Sequence, residues 1–379
     1  MATILAALRS FASALVPCAA LAASLTGCIG ENNDASFGDH DTEITGDDGA
    51  GEPPGSDVEP GEEPVVDVEA GCAGRAVFTF ARSGDTTIAS IDGEPVAWFT
   101  DDAYSVRMTG PSRSFGAGSA EAPGVTTTTW LRTWREPFHA EGTSEDELSA
   151  WLDAARAVNC AAGTKDVLAI AYEYVEGTTN DARYALGADF HDFLGITWDP
   201  IDAKSILPTL GHEGALDCSG YMRLVWGGRT NFSFDGEDAS IPLSMKSAPG
   251  HLPRTSEDMY RSGTGKIVVP FRTEPTGAPA FQGAPTATEL SLIQPGDLVF
   301  FDSTCNYALS TLTCVKDPGG ISHVGMFVGR DTSGNSRFIS SRSTADGPTV
   351  GNTGGWSIFN AGAGGTGSYP QRFRGARRL

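Results

Sequence analysis

Cys218 opens the run Leu216-Asp217-Cys218-Ser219-Gly220-Tyr221-Met222-Arg223-Leu224-Val225-Trp226, and about a hundred residues later the chain reads Ser322-His323-Val324-Gly325-Met326-Phe327-Val328-Gly329. The first run has the apolar spacing of a helix with a cysteine at its start; the second is a strand with a histidine at its start. A thiolate is the reactive form of cysteine, and a helix N-terminus lowers its pKa from ~8.5 towards neutrality. A neighbouring imidazole completes the activation. The chemistry implied is acyl transfer through a thioester, with Cys218 as nucleophile and His323 as base. Asp217 is a good helix cap, which leaves the following backbone N–H groups aimed at the sulfur and available as an oxyanion hole. A lone cysteine at a helix start is more often a small buried hydrophobe, so the reading depends on His323.

The other histidines compete weakly. His212 lies only six residues before Cys218, but in the loop Gly211-His212-Glu213-Gly214. His139, His191 and His251 stand in no motif. There is no CxxC or HxxxH spacing, so neither a metal nor another cofactor is expected.

Two unequal folded pieces position the pair. Residues 72–142 read as a small β-rich domain. Its strand-like runs are Val77–Phe80, Thr86–Ser90, Val96–Phe99 and Thr126–Trp134, with Asp92-Gly93 as a hairpin turn. Trp98, Trp130 and Trp134 suit either a core or a ligand groove. Residues 143–163 form a connecting helix, capped by Ser144 with Glu147 and apolar at Leu148, Trp151, Leu152, Ala155 and Val158. From residue 164 helices come first: Val167–Val175, the Cys218 helix and a short one over Ser256–Tyr260. Strands follow at Asp297–Phe301, Val324–Val328, Arg337–Ser341 and Phe373–Arg378. That order describes an α+β domain with helices packed on one antiparallel sheet. Residues 264–288 and 302–320 read as loop insertions. Gly296 and Asp297 turn the chain into the sheet, a structural task for Asp297.

Residues 164–379 resemble the NlpC-type family of bacterial cell-wall cysteine peptidases. Five stretches stand in the family's order: Asp217–Tyr221, Leu252-Pro253-Arg254-Thr255-Ser256, Gln294–Phe301, Ser322–Gly329 and Arg372–Leu379. The resemblance implies a papain-like α+β fold. It also implies cleavage of peptidoglycan stem peptides, at the bond between γ-D-glutamyl and a diamino acid. Two departures stand out. The family's third catalytic residue, often His, Asn or Gln, falls on Ser340 in the returning strand Phe338-Ile339-Ser340-Ser341-Arg342, and a serine hydroxyl orients an imidazole weakly. The family's tyrosine before the cysteine is matched by Tyr184, but more than thirty residues, Ala185 to Leu216, then intervene. Tyr184, Asp217 and Ser219 are the expected substrate contacts. Other acyl chemistry on the same fold (an amidase or acyltransferase) and a non-catalytic envelope-binding lipoprotein are the alternatives.

The beginning of the chain suggests a compartment. Residues 1–27 read as a signal peptide, with Arg9 followed by the small, apolar stretch Phe11–Leu25. Leu25-Thr26-Gly27-Cys28 resembles a bacterial lipobox, which implies lipid on Cys28 and a place in the cell envelope, anchored to a membrane. Residues 28–71 form an acidic linker: positions 29–70 carry 14 Asp or Glu and no Lys or Arg. Such a stretch cannot bury a core and extends by self-repulsion. It supplies most of the net charge of −22, leaving −9 on residues 71–379 once Arg9 is allowed for, so nucleic acid is not an expected partner. The expected partners are peptidoglycan and, through the lipid, a membrane; the chain is expected to be a monomer. Five cysteines remain beyond Cys28, and an odd count in an oxidising compartment leaves one thiol over. With Cys218 as that thiol, the simplest pairs are Cys72–Cys160 and Cys305–Cys314.

Overall fold

The computed structural model describes residues 72, 75–116, 123–161, 163–178, 180–228, 240–272, 285–302, 320–360 and 369–379. The leader 1–27, Cys28, the rest of the linker to 71, and the loop carrying Cys305 and Cys314 lie outside the described residues.

The chain is mixed α+β, with two antiparallel sheets and short helices. The first sheet is a meander of β1 (Phe78–Ser83), β2 (Thr86–Ile91), β3 (Glu94–Thr100), β4 (Ser105–Phe115) and β5 (Val125–Thr133), each paired with the next. Asp92-Gly93 makes the β2–β3 turn, both residues at positive φ, +53° and +87°, as that dipeptide predicts. Strand β4, 11 residues long, is not foreseen from the sequence, because Gly110-Pro111 reads as a breaker. The register shifts between Thr109 and Arg113, so the proline sits in a bulge where no ladder donor is needed.

After the first sheet come α1 (Glu145–Cys160), α2 (Val167–Tyr172), α3 (Phe190–Leu194), α4 (Cys218–Arg223) and α5 (Ser256–Ser262). Helix α1 starts where Ser144 accepts from the Glu147 N–H, and it buries Leu148, Leu152 and Ala155. Then follow β6 (Lys266–Val269), α6 (Ala287–Leu292), β7 (Leu298–Phe301), β8 (His323–Arg330), β9 (Ser336–Arg342), β10 (Gly347–Thr349) and β11 (Phe373–Arg378). The stretch 264–288 is therefore not all loop. Ile267-Val268-Val269 pairs with β11, and Thr286 with Glu289 forms a capping box that starts α6. Such short elements carry too few residues for a period to show.

The second sheet runs β10-β9-β8-β7-β11-β6. Alternation divides its side chains. Leu298, Phe300, Val324, Met326, Val328 and Ile339 share a core with α2, α4 and α5. Val299, Phe301, Phe327, Phe338 and Phe373 form a separate aromatic layer with Phe359 and Tyr369. The first core also takes in Tyr104, Val125 and Leu131, so the two sheets are joined by shared apolar packing. The Ser105 N–H donates to the Leu379 carbonyl at 2.6 Å, and the Thr332 N–H to that of Gly124 at 2.9 Å. Cys72 and Cys160 form the expected disulfide, fastening the start of the described chain to the end of α1.

Candidate active site

Helix α4 is held at its cap. Asp217 Oδ1 accepts from the Gly220 N–H at 2.7 Å and from Ser219 Oγ at 3.0 Å. Gly220 is required by close approach: a Cβ there would lie 2.3 Å from the Ala188 carbonyl oxygen and 2.8 Å from the Asp189 Cα. The neighbour is thus the chain entering α3. Ser341 Oγ donates to the Leu216 carbonyl at 2.7 Å, pinning the same cap to β9, and α4 packs against β8 and β9.

A buried ionic cluster surrounds this cap. Arg254 donates to both Asp217 oxygens, at 3.2 and 2.6 Å, to Ser219 Oγ at 2.6 Å and to the Gly187 carbonyl at 2.8 Å. Arg223, fully buried one turn along α4, donates to Asp189 Oδ1 at 2.9 Å and to the Ser244 and Leu252 carbonyls. Burial alone would raise the Asp189 pKa, but Arg223 and Arg254 hold its carboxyl well below the usual carboxylate range. Asp217 and Asp189 in turn raise the Arg254 pKa despite its desolvation, whereas for Arg223 burial wins and the pKa falls. Two carboxylates and two guanidiniums balance one another's charge here, the condition under which buried charges are tolerated, although Arg223 Nη2 is left without a hydrogen-bond partner.

This cluster changes the expected substrate contacts. Asp217 and Ser219 are fully buried and bonded inward, so they position α4 rather than line a groove. The Gly220 N–H, expected among the oxyanion donors, is taken by the cap. Tyr184 is half-buried, and its N–H donates to Asp346 Oδ1 at 3.2 Å. Arg183 bridges to Ala215 in parallel, and the Leu216 N–H donates to the Arg183 carbonyl at 2.9 Å. The long insertion from Ala185 therefore leaves and returns at one place, laying the Tyr184 backbone beside the approach to Cys218.

His323 begins β8 opposite Phe301 of β7. Its ring stacks on Tyr369, centroids 4.5 Å apart, with Phe301 at 6.1 Å, so it belongs to the aromatic layer. Cys218 belongs to the core on the helical side. The imidazole is 5% exposed, and its Nε2 is buried without a hydrogen-bond partner. Burial, then the charges of Arg342 and Arg372, hold its pKa well below 6.5. The ring is neutral at neutral pH. Ser340 faces the same side of the sheet but accepts from Arg342 Nε at 2.9 Å, and the Arg342 guanidinium lies over the Tyr369 ring at 4.7 Å. The serine is engaged by Arg342, and the arginine is what approaches the imidazole's stacking partner.

Cys218 is fully buried and disulfide-bonded, to a partner outside the described residues. This corrects the expectation that it is the leftover thiol. An odd count shows that one cysteine is left over but not which, because spacing says nothing about which sulfurs meet in the fold. Cys305–Cys314 lies outside the described residues.

His212 sits with His191 around Asp192, Nδ1 3.7 Å from Asp192 Oδ2, away from the Cys218 cap contacts. Asp297 is bonded by Arg378 through both oxygens, each at 2.9 Å, and by the Gln294 N–H, which is the structural role its sequence context suggested. Among the described residues no group of three or more His, Cys, Asp or Glu is placed to hold a metal. Sequence reasoning passed over Asp189, Arg223 and Arg254 as working residues. A buried arginine in an apolar helix (Arg223 within Tyr-Met-Arg-Leu-Val) was the available signal. The chain matches no protein-family model, no curated protein and no solved structure.

Proposed function

We propose that residues 164–379 are an NlpC-type cysteine peptidase with a papain-like arrangement, which cleaves peptidoglycan stem peptides and is held in an oxidised resting form. The observation that carries the proposal is Cys218 at the first turn of a helix whose cap is clamped by Asp217 and Arg254 and docked on the strand that His323 begins. The neutral imidazole with an unpartnered Nε2 supports it, being the form that accepts a proton.

The resting disulfide is opened by a dithiol reductant, which is oxidised as Cys218 and its partner become thiols. His323 then takes the thiol proton, and the thiolate forms a C–S bond to the peptide carbonyl carbon. The imidazolium returns the proton to the leaving amine as the C–N bond breaks. Water, deprotonated by His323, attacks the thioester and releases the carboxylic acid and the thiol. Cys218 and His323 lie in different layers of the fold, and the proposed chemistry requires that reduction let the thiol and the imidazole come together. The scissile bond proposed is γ-D-glutamyl to diamino acid, and mass analysis of the products identifies it. Lipid on Cys28 would hold the enzyme in the cell envelope, with residues 28–71 as tether. The Cys28→Ser chain should then leave the membrane fraction, and unchanged fractionation would refute the anchor.

A non-catalytic envelope-binding protein is the second reading. It is favoured by the disulfide at Cys218 and by the stacking of His323 on Tyr369. Iodoacetamide labelling of the reduced chain, mapped by peptide, separates the two. The peptidase reading expects Cys218 to alkylate far faster than the other cysteines at pH 7. Equal or slower labelling favours the binding protein.

A further inference from the structure

The two sheets meet around a pocket of about 420 Å³, within the usual size range for small-ligand sites. The first sheet lends Trp98, Thr100 and Arg107; the second lends Lys266 and Arg378, and the turn before β7 lends Gln294. Three cations therefore converge on a cavity in a chain of net charge −22. Two of them are already matched. Arg378 is bonded through Nε and Nη2 to Asp297 and through Nη1 to Thr100 Oγ1 at 3.0 Å, and Lys266 is paired with Asp85. Arg107 is different. Its guanidinium carbon lies over the Trp98 ring, 3.8 Å from the centroid, and its Nε is buried with no hydrogen-bond partner. Among the described residues no carboxylate forms an ion pair with it. Gln294, lining the same cavity and 8% exposed, likewise has a buried Nε2 without a partner.

Buried donors without acceptors cost free energy, so two of them in one cavity call for an acceptor from outside. Burial and the neighbouring charge of Arg378 lower the Arg107 pKa, with Asp297 partly opposing them; an added negative charge would offset the repulsion from Arg378. A guanidinium stacked on an indole keeps its edge free, and that edge matches a carboxylate through two parallel hydrogen bonds. The remaining walls are apolar at Ile267, Leu292, Ile293 and Pro295 and polar at Thr86 and Ser291, and the one carboxylate in the lining, Asp85, is held by Lys266. We infer that this cavity binds the free carboxylate of a short peptide or similar small organic acid, with Arg107 and Gln294 as donors and Trp98 as the platform. The site is separate from the Cys218 chemistry and does not depend on it.

The test is isothermal titration of the full chain with acetyl-alanyl-alanine, with its C-terminal amide, and with inorganic phosphate. The free acid should bind saturably at millimolar concentration, and the amide and phosphate on the order of tenfold more weakly or not at all. Arg107→Gln, which keeps amide donors but removes the charge, should weaken the free acid by a similar factor. Arg107→Lys should lose less, and Lys246→Gln, at an exposed lysine outside the cavity lining, nothing. Near-ultraviolet circular dichroism checks that each variant is folded. Should Arg107→Gln not fold, Trp98→Leu gives the same comparison. Equal binding of acid and amide, no binding of the acid, a folded Arg107→Gln that binds like the parent, or phosphate binding as tightly as the peptide would each overturn the carboxylate site.

Discussion

His323 is the residue on which stability and chemistry meet. Its pKa is held well below 6.5 in the fold, while the unfolded chain titrates near that value. Below about pH 6.5 the unfolded state therefore binds a proton that the folded state refuses, and stability is lost as the pH falls. The contribution is fully present above that range. Replacing His323 by Phe keeps an aromatic on Tyr369 and removes the titration. The loss of Tm between pH 7 and 5 should be smaller in His323→Phe than in the parent, and an identical slope would show that the imidazole is not buried neutral. In the proposed chemistry, His323→Ala should lower turnover on the order of 10²-fold or more, and His212→Ala much less. Ser340 belongs to Arg342 rather than to the imidazole, so Ser340→Ala should act on the fold. Removing a buried acceptor from a guanidinium should cost about 1–3 kcal/mol in denaturant unfolding. A hydroxyl that mattered only to the imidazole would leave unfolding unchanged and slow turnover instead.

Helix α4 is short, six residues before a π-helical turn, and its place is set by what grips it. Gly220→Ala would drive a methyl into the Ala188 carbonyl and should cost about 1–3 kcal/mol, read from the denaturant midpoint. Arg254→Met would strand the Asp217 charge in the interior, while Asp189 keeps Arg223, at about 3–5 kcal/mol. A destabilisation below about 1 kcal/mol would mean that the cluster is dispensable. At this scale the sequence is legible where several residues repeat one signal. The Ser144 cap, the apolar face of α1, the Asp92-Gly93 turn and the strands around Phe301, His323 and Phe338 all follow from it. It is silent where an element is decided by its neighbours. β4 tolerates Gly110-Pro111 because β5 supports the bulge, and β6 exists because β11 offers an edge. In the same way Cys218 and His323 stand out as types, but the disulfide at one and the Tyr369 stack at the other are tertiary facts.

Over the whole molecule the two sheets behave as one packed body. Their shared core runs through Leu131 and Val125, and Cys72–Cys160 closes a span of 88 residues around the first sheet. Breaking that bridge by Cys72→Ser should cost about 2–5 kcal/mol, seen as a lower Tm of the full chain. If the Tm does not move, the bridge does not constrain the chain. A reductant strong enough to open every disulfide would thus lower stability while, in the proposed chemistry, it frees Cys218, and the assay belongs at a temperature well below the unfolding of the reduced chain. The central claim is that a disulfide at Cys218 holds a peptidase at rest. It is tested most directly by mass-spectrometric detection of products from a purified peptidoglycan stem peptide, incubated with the full chain with and without a dithiol. The account predicts cleavage only with the dithiol, at the γ-D-glutamyl bond, and none in Cys218→Ala. Cleavage by Cys218→Ala, or none by a folded chain whose Cys218 has been shown to be reduced, would contradict it.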